Sequence, residues 1–341
     1  MTDAAAPDAA VTPGDGGRAP VVADVSEDDL LARIFPHLPA GDRTLLGPGD
    51  DAAVLGAPDG RFVVSTDVLV EDRHFRLGWS SGEDVGWRAA MQNLADVAAM
   101  GARPTALVVS LVAPGDLPVA WVEGLARGLG EACRTVGAGV VGGDLSGGGA
   151  VVVAVTVHGD LGGREPVLRS GARPGDVLAL AGTVGRSAAG LALLDAGRPE
   201  AGPDAVRVYR RPQPPLAAGP EAARAGATAM LDVSDGLLRD AARIAAASRV
   251  VLDLDDPRSA LADDLAALRG AAAALGADPV AWALGGGEDH GLLASFPPGA
   301  VPAGFRVVGR VREPDAGAPA GTVLVAGRPP HAVPGWEHFH R

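Results

Sequence analysis

The sequence of 341 residues contains no lysine, so every one of the 29 side chains counted as lysine or arginine is an arginine. This absence excludes a phosphate-binding loop that depends on lysine, the strand lysine of protein kinases, and Schiff-base catalysis. If the chain handles phosphate, it must therefore do so with arginine, backbone N–H groups or metal ions.

Cysteine, long apolar runs and excess positive charge are also scarce. The one cysteine, Cys133, excludes an internal disulfide and a cysteine-based zinc site. No apolar run approaches the roughly 18 residues that a membrane span needs, and the segment MTDAAAPDAAVTPGDGG has no signal-peptide features. We therefore expect a cytoplasmic protein with a disordered tail over residues 1–25. The net charge of −13 argues against nucleic acid or an anionic membrane as the main partner.

The rest of the chain alternates between strand and helix patterns. This alternation predicts an α/β protein of the α+β type, with mixed sheets packed against helices. The polar, turn-rich stretch GGREPVLRSGARPGD (162–176) predicts a boundary between domains 26–160 and 161–341. The segment YRRPQPPLAAGP (209–220) is expected to be a proline-rich surface connection. Strands are predicted over 61–70, 105–114, 137–161 (two strands), 177–182, 229–234, 249–255, 291–297 and 305–311. Helices are predicted over 81–101, 118–136, 187–196, 235–247 and 259–275.

One group of acidic residues lies at the ends of predicted strands, where ligands commonly bind in α/β proteins. Other acids, such as Glu123, Asp240 and Asp263, fall on helix faces or loops, where we expect a structural role. The first group consists of Asp67 in FVVSTD, Asp144 in VVGGD, Asp232 and Asp235 in MLDVSDG, and Glu288 and Asp289 in LGGGED.

Asp96 lies in a predicted helix that is apolar nearly all round and is therefore expected to be buried. A buried carboxylate must be paired, protonated or bound to metal. No basic residue lies three or four positions away, so a metal ion or a distant arginine is the expected partner of Asp96.

The stretch GPGDDAAVL (47–55) places two aspartates after a turn. Neighbours on a strand point to opposite faces, so Asp50 and Asp51 should have different roles. We expect Asp51 to be a ligand and Asp50 to shape the turn or support Asp51. Taken alone, each acid is more often a cap or a turn residue than a ligand. Together, their all-oxygen chemistry predicts Mg²⁺, as several ions, rather than zinc or copper.

Ordered motifs along the chain resemble the thiamine-monophosphate kinase family, which belongs to a superfamily with aminoimidazole ribonucleotide synthetase. The motifs are GPGDDAAVL, VVSTD, RHF, NLADVAAMGARP, VVGGD, LRSGARPGD, LDVSDGL, GGGED and GWEHF. The resemblance implies ATP-dependent phosphorylation of thiamine monophosphate to thiamine diphosphate by a two-domain homodimer.

The resemblance also implies residue roles, and beyond the metal ligands it implies no chemical catalyst. The implied Mg²⁺ ligands are Asp51, Ser65, Thr66, Asp67, Asp96, Asp144, Asp232 and Asp235. The implied ATP contacts are Gly143, Asp144, Arg169 and Ser234, and the implied substrate contacts are His74, Glu288 and Trp336.

The chain departs from the family pattern at Leu145, where a hydroxyl residue is common, and at His290-Gly291, where Tyr-Glu is common. Two relatives are disfavoured by residues they need: selenophosphate synthetases use an N-terminal cysteine or selenocysteine with a lysine, and hydrogenase-maturation proteins end in a reactive cysteine. An aminoimidazole ribonucleotide synthetase-like enzyme and a non-catalytic nucleotide- or metal-binding relative remain as alternatives.

Overall fold

The structure is a computed structural model that describes residues 18–48 and 52–330. The mixed α/β class predicted from the sequence is confirmed by two mixed sheets packed against helices. The strands are β1 (Thr44–Leu46), β2 (Val54–Leu55), β3 (Val63–Val70), β4 (Arg103–Ala113), β5 (Gly139–Gly147), β6 (Val152–Asp160), β7 (Val177–Ala181), β8 (Ala229–Val233), β9 (Val251–Leu254), β10 (Gly291–Phe296), β11 (Phe305–Arg312) and β12 (Val323–Val325). The helices are α1 (Glu27–Ile34), α2 (Gly82–Ala99), α3 (Val119–Arg134), α4 (Arg186–Asp195), α5 (Pro203–Arg210), α6 (Ala218–Arg224), α7 (Leu237–Ser248), α8 (Pro257–Ala260), α9 (Ala262–Leu275) and α10 (Pro279–Gly285).

The first sheet has four strands in the order β3-β6-β4-β5. Its β4–β5 pair is parallel and the other two pairs are antiparallel. Helices α2 and α3 cover one face of it, which we call the inner face, and the core lies there. The other face, the outer face, leaves Phe62, Val64 and Val68 58%, 55% and 45% exposed.

The second sheet has six strands in the order β12-β9-β11-β7-β10-β8. The β12–β9 pair is parallel and the remaining pairs are antiparallel. Helices α4, α7 and α10 pack on this sheet around a second core of Leu, Val and Ala side chains. Strand β8 lies at the edge of this sheet and contacts α2, so the two sheets meet at that helix.

Helix α2 begins with the predicted capping box. The Ser81 hydroxyl accepts from Asp84 N, and the Asp84 carboxylate accepts from Ser81 N. Glycines then allow α2 to approach α3 closely: a Cβ on Gly82 would lie 1.9 Å from Trp121 O, and one on Gly86 would lie 2.1 Å from Leu125 O. Because α3 covers one side and β8 another, α2 is buried along nearly its whole length, as its composition predicts.

Two sequence predictions need correction. The proline-rich segment 209–220 is not a simple surface connection, because α5 ends and α6 begins within it and its middle packs on α2. There, Trp87 Nε1 donates to the carbonyl of buried Pro212 at 2.7 Å. The tail does not remain free as far as residue 25, because Val22 N donates to Leu117 O at 2.7 Å and Val25 packs on the first core.

No helix within the described ranges is long and apolar enough to cross a membrane. The boundary near residue 160 stays a prediction, and the first sheet ends there with β6.

Candidate active site

One stripe of α2 carries three polar side chains at successive positions i, i+4 and i+8. Arg88 Nη2 donates to Glu288 Oε2 at 2.8 Å. Gln92 Nε2 donates to Asp67 Oδ2 at 3.2 Å, and Asp96 Oδ2 accepts from Ser65 Oγ at 2.7 Å. The helical repeat aligns these groups on one face, so α2 connects the inner face of the first sheet with the loop before β10.

Strand alternation decides which hydroxyl in the STD motif reaches this stripe. Ser65 and Asp67 face α2, whereas Thr66 points to the outer face. There Thr66 Oγ1 donates to Val155 O at 2.9 Å and lies 3.3 Å from Thr156 Oγ1. The structure therefore brings Ser65 and Asp67 together with Asp96 and leaves Thr66 on the other side of the sheet.

The second sheet contributes Asp232 at the end of β8 and the loop that precedes β10. His290 Nδ1 lies 3.2 Å from Asp232 Oδ2, and His290 Nε2 lies 3.6 Å from Glu288 Oε2. Asp232 and His290 are both buried. Together with Arg88, these groups form a chain of alternating charges that links the two sheets.

Charge and burial shift the pKa values of Asp96 and Asp67. Burial, together with the nearby charges of Asp232 and Asp67, raises the pKa of Asp96 to about 7. Burial also raises the pKa of Asp67, with Asp232 and Glu288 adding to the shift and His290 opposing it. Carboxylates thus converge here without enough positive charge to stabilise them, which is the electrostatic condition for a cation site.

The Arg88 side of the site is balanced differently. Burial alone would raise the pKa of Glu288, but Arg88 and His290 hold it well below its ordinary value. Burial alone would lower the pKa of His290, but its contacts with Asp232 and Glu288 raise it above its ordinary value. His290 therefore carries a positive charge at neutral pH.

The GGGED loop reaches the site through a strained backbone. Glu288 and His290 have φ angles of 68° and 54°, which non-glycine residues rarely adopt. Glu288 N donates to Ser234 O at 2.8 Å and His290 N donates to Val233 O at 3.1 Å. A Cβ on Gly287 would lie 2.2 Å from Ser234 O, so a glycine is required for the two loops to meet.

Asp235 lies beside the contact between the GGGED loop and Ser234. Two residues that the sequence analysis did not assign to the site, Arg243 and Asp240, hold it there. The carboxylate of Asp235 forms an ion pair with Arg243, and its N–H donates to Asp240 Oδ2 at 2.9 Å. Asp240, which the sequence assigns to an ordinary helix face, is fully buried, and burial raises its pKa to about 6. The sequence offers one sign of this role: Asp240 lies on the first turn of α7, only five residues after Asp235. The same spacing is found when such an acid lies on an exposed helix face, so it does not predict burial.

Asp289 turns away from the cluster. Its carboxylate accepts from Thr183 Oγ1 at 2.9 Å and from Ser187 N at 3.0 Å. Burial raises the pKa of Asp289 to about 6, against the lowering effect of these hydrogen bonds. Asp289 therefore holds the beginning of α4, a structural role.

The remaining predicted residues are more dispersed. Asp144 lies opposite Ser110 in the register of β4 and β5, on the outer face. Gly143 precedes it on the edge strand β5, and both residues are exposed. Arg169 lies in the link between the sheets, where its carbonyl accepts from Ser248 Oγ at 3.1 Å. That contact is at the end of α7 remote from Asp235, about 18 Å away for a helix of this length.

His74 lies in the turn after β3, where its Nδ1 accepts from Val70 N at 3.0 Å. Its carbonyl accepts from Tyr209 Oη at 3.4 Å, and the Arg88 guanidinium stacks 4.8 Å above the Tyr209 ring. His74 is thereby connected to the Glu288 side of the site. Asp50, Asp51 and Trp336 lie outside the described residues.

Within residues 18–48 and 52–330, no three His, Cys, Asp or Glu side chains are close enough to form a ready cage for a metal ion. The described acids are near enough to raise one another's pKa, but their oxygen atoms are not arranged as the ligands of one ion. The predicted metal set therefore stays a prediction.

Comparison with known proteins defines the class of the chain. The model of the AIR synthase related protein N-terminal domain matches residues 49–161, and that of the AIR synthase related protein C-terminal domain matches residues 173–311. Together these matches cover most of the chain and define an AIR synthase related protein.

Individual relatives narrow the class to a single family. The thiamine-monophosphate kinase of Mycobacterium tuberculosis is 50% identical over 323 residues, which cover 94% of this chain and 93% of the relative. That of Corynebacterium glutamicum is 43% identical over 94% of this chain and 95% of the relative. The crystal structure of thiamine monophosphate kinase from Aquifex aeolicus matches with a TM-score of 0.73 at 31% identity, over 83% of this chain and 92% of that chain. The chain belongs to the thiamine-monophosphate kinase family.

Proposed function

We propose that this chain transfers the γ-phosphoryl group of ATP to thiamine monophosphate, yielding ADP and thiamine diphosphate. One observation carries the proposal: a chain of this family brings Ser65, Asp67, Asp96 and Asp232 together beside Glu288. In addition, a solved neighbour of 32% identity and TM-score 0.74, covering 85% of this chain and 91% of that chain, is described as AaThiL complexed with AMPPCP and TMP. AMPPCP is an ATP analogue that cannot transfer its last phosphate, so that complex contains both kinds of substrate.

The reaction needs little acid–base chemistry. The phosphate monoester of the acceptor is already anionic near neutral pH, so no general base is required to deprotonate it. An acceptor phosphate oxygen forms a bond to the γ-phosphorus, and the bond to the β–γ bridging oxygen breaks, with its electrons leaving on ADP. The main obstacle is repulsion between two anions, and we infer in-line geometry for the transfer.

The described residues suit several Mg²⁺ ions by donor type and by charge. Carboxylate and hydroxyl oxygens are the ligands that Mg²⁺ prefers, and the raised pKa of Asp96 indicates excess negative charge around it. The four carboxylates and two cationic side chains here are Asp67, Asp96, Asp232 and Glu288, and Arg88 and His290. When bound, the ions would neutralise the phosphates and polarise the transferred group. We propose Ser65, Asp67, Asp96 and Asp232, with Asp51 and Asp235, as their holders.

The protein itself positions the reactants. Arg88 fixes Glu288 and Tyr209, and Tyr209 contacts His74, so one buried guanidinium orients the residues proposed to contact thiamine monophosphate. Ser234 lies in the junction between the GGGED loop and α7, where we propose an ATP contact. Arg169 and Trp336 stay as proposed ATP and substrate contacts.

We also propose a homodimer formed through the outer face of the first sheet. Phe62, Val64 and Val68 are large apolar side chains exposed side by side on that face. Thr66 and Asp144 lie on the same face, so they would meet a second copy of the chain rather than the Asp96 cluster of their own chain. We propose Gly143, the neighbour of Asp144 on β5, as an ATP contact near this interface.

We propose a boundary near residue 160 between the dimerising domain and the domain that completes the site. The single cysteine, Cys133, is free and buried, which suits a reducing cytoplasm where ATP is supplied.

The test mixes the purified chain with Mg-ATP and thiamine monophosphate and measures ADP and thiamine diphosphate by chromatography. We expect both products in equal amounts, with none when Mg²⁺ is removed by EDTA. Nucleotide binding without thiamine diphosphate formation would contradict the proposal and favour a non-catalytic relative.

A further inference from the structure

A second cleft lies between the two domains, on a different side of α2 from the candidate active site. Trp87 and Met91 of α2 line it, whereas Arg88 and Gln92, one position further along the helix, face the active site. The opposite wall comes from the segment before α6 and from α6 itself. The cleft has a volume of about 690 Å³, which is in the range of small-molecule sites.

The lining of this cleft is positive in a strongly negative protein. Four arginines and two carboxylates line it, which leaves a net charge of +2, whereas the whole chain carries −13. The lining charges are Arg43, Arg103, Arg164, Arg224, Asp160 and Glu221. A local reversal of sign of this kind attracts anions to the cleft.

Three of the arginines lie on segments next to one buried carboxylate, Asp160, and Arg43 pairs with it. Asp160 is 7% exposed, and its Oδ2 accepts from Arg43 Nη2 at 2.9 Å while its Oδ1 accepts from Gly162 N at 2.8 Å. Arg103 is the residue opposite Asp160 across the β4–β6 pair, and Arg164 follows two residues after Gly162. Asp160 pairs with Arg43, and Arg103 pairs with Asp42 at 3.2 Å, so Arg164 has no carboxylate partner among the described residues.

Two of the four lining arginines are not neutralised by an ion pair within the described part of the chain. There, Arg164 and Arg224 form no ion pair with any carboxylate. The Nε atoms of Arg43 and Arg164 are buried and make no hydrogen bond to described atoms. Buried donors left without an acceptor are costly, and a multivalent anion would supply the missing acceptors.

The other part of the lining is apolar, with Trp87, Met91 and Leu216 beside the arginines. We propose that this cleft binds a phosphorylated small molecule that also carries a flat ring, with the phosphate on the arginines and the ring on the apolar part. Because the lining comes from both domains, the bound ligand would also hold them together.

The test is calorimetric titration of the full chain with AMP, which has one phosphate and one flat ring. Mg-AMPPCP and thiamine monophosphate are first added to saturation to fill the active site. We expect a further saturable binding event whose affinity falls at least tenfold in Arg164→Gln/Arg224→Gln and weakens with added salt. Arg269→Gln, an exposed arginine on α9, is the matched control and should bind as the wild type does.

The same titration with pyrophosphate and with adenosine separates the two parts of the proposal. We expect both probes to bind more weakly than AMP, because each reaches only one part of the cleft. Absence of any AMP binding beyond the active site, or equal AMP affinity in the double variant, would overturn the site. Pyrophosphate binding as tight as AMP would overturn the role of the apolar part.

Discussion

Replacing Asp96 with asparagine should make the protein inactive and, without Mg²⁺, more stable. The substitution keeps the shape of the side chain and an oxygen that accepts from Ser65 Oγ. It removes the negative charge that lies close to Asp67 and Asp232. Catalysis and stability therefore respond in opposite directions, which a merely structural residue would not show.

The magnitude follows from the pKa of Asp96, which burial and the two neighbouring acids raise from 3.8 to about 7. The shift is about three pKa units, or up to about 4 kcal/mol at about 1.4 kcal/mol per unit. Because the folded state holds the proton more tightly, the free energy of unfolding of the wild type falls as pH rises from about 4 to about 7. The full penalty is present above that range and absent below it. Asp96→Asn does not titrate and lacks this penalty.

The assay is urea unfolding of both proteins in EDTA at pH 4 and pH 8. We expect the variant to be more stable than the wild type at pH 8 by up to about 4 kcal/mol, with the advantage lost at pH 4. Added Mg²⁺ should stabilise the wild type more than the variant, since a ligand stabilises the state that binds it. Turnover of Asp96→Asn should fall by about a hundredfold or more, because metal ions contribute several kcal/mol to such transition states.

Two results would refute this reasoning. A variant less stable than the wild type at pH 8 in EDTA would mean that the Asp96 charge is compensated within the protein. Near-normal turnover would mean that Asp96 binds no catalytic ion.

Three further substitutions test separate parts of the structure. Arg88→Met should lower the free energy of unfolding by about 1–3 kcal/mol, because it removes the guanidinium donor of partly buried Glu288 and leaves it the longer His290 contact at 3.6 Å. Arg88→Met/Glu288→Gln should recover much of this loss in urea unfolding. Val64→Glu/Val68→Glu should convert the proposed homodimer to a monomer, measured by size-exclusion chromatography with light scattering, because it places charges on the outer face. Gly86→Ala should lower the thermal midpoint strongly, since its Cβ would lie 2.1 Å from a backbone oxygen of α3.

Each of these substitutions has a control on the same chain. Val307→Glu, at an exposed position of β11, should leave the dimer intact, and Gly78→Ala should leave the thermal midpoint unchanged because nothing lies within 4 Å of its Cβ. Loss of the dimer in Val307→Glu, a monomeric wild type, or equal midpoints for the two glycine variants would contradict the corresponding explanation. An Arg88→Met protein as stable as the wild type would show that the Arg88–Glu288 pair does not contribute to the free energy of unfolding.

Local patterns predicted most of the elements because their causes are local. The capping box at Ser81, the apolar run before Asp67 and the positions of glycine and proline depend on residues a few positions apart. The segment 209–220 was harder because its prolines are typical of an exposed link. Only the packing of Pro212 against Trp87 makes this segment part of the interior.

The sequence identifies which residue types could form the candidate site, but not which of them lie on the same face of the sheet. The sequence predicts that Ser65, Thr66 and Asp67 act together, yet period-two alternation places Thr66 on the opposite face from its neighbours. The hydrogen bond from Asp235 N to Asp240 is local, but the burial of Asp240 depends on how α7 packs in the fold, so the spacing alone does not distinguish it from an exposed helix residue.

The amino-acid sequence alone specifies the chemistry available to this protein: no lysine, no cysteine pair, and carboxylates at the ends of apolar strands. Its motifs, in a fixed order, also specify the family. Which of those carboxylates share a site depends on the tertiary structure, because Asp67, Asp96 and Asp232 are separated along the chain and meet only where β8 packs on α2. The tertiary structure likewise brings Arg88 to Glu288, 200 positions away. Contacts of that range depend on the packing of whole elements, which the composition of no single segment contains.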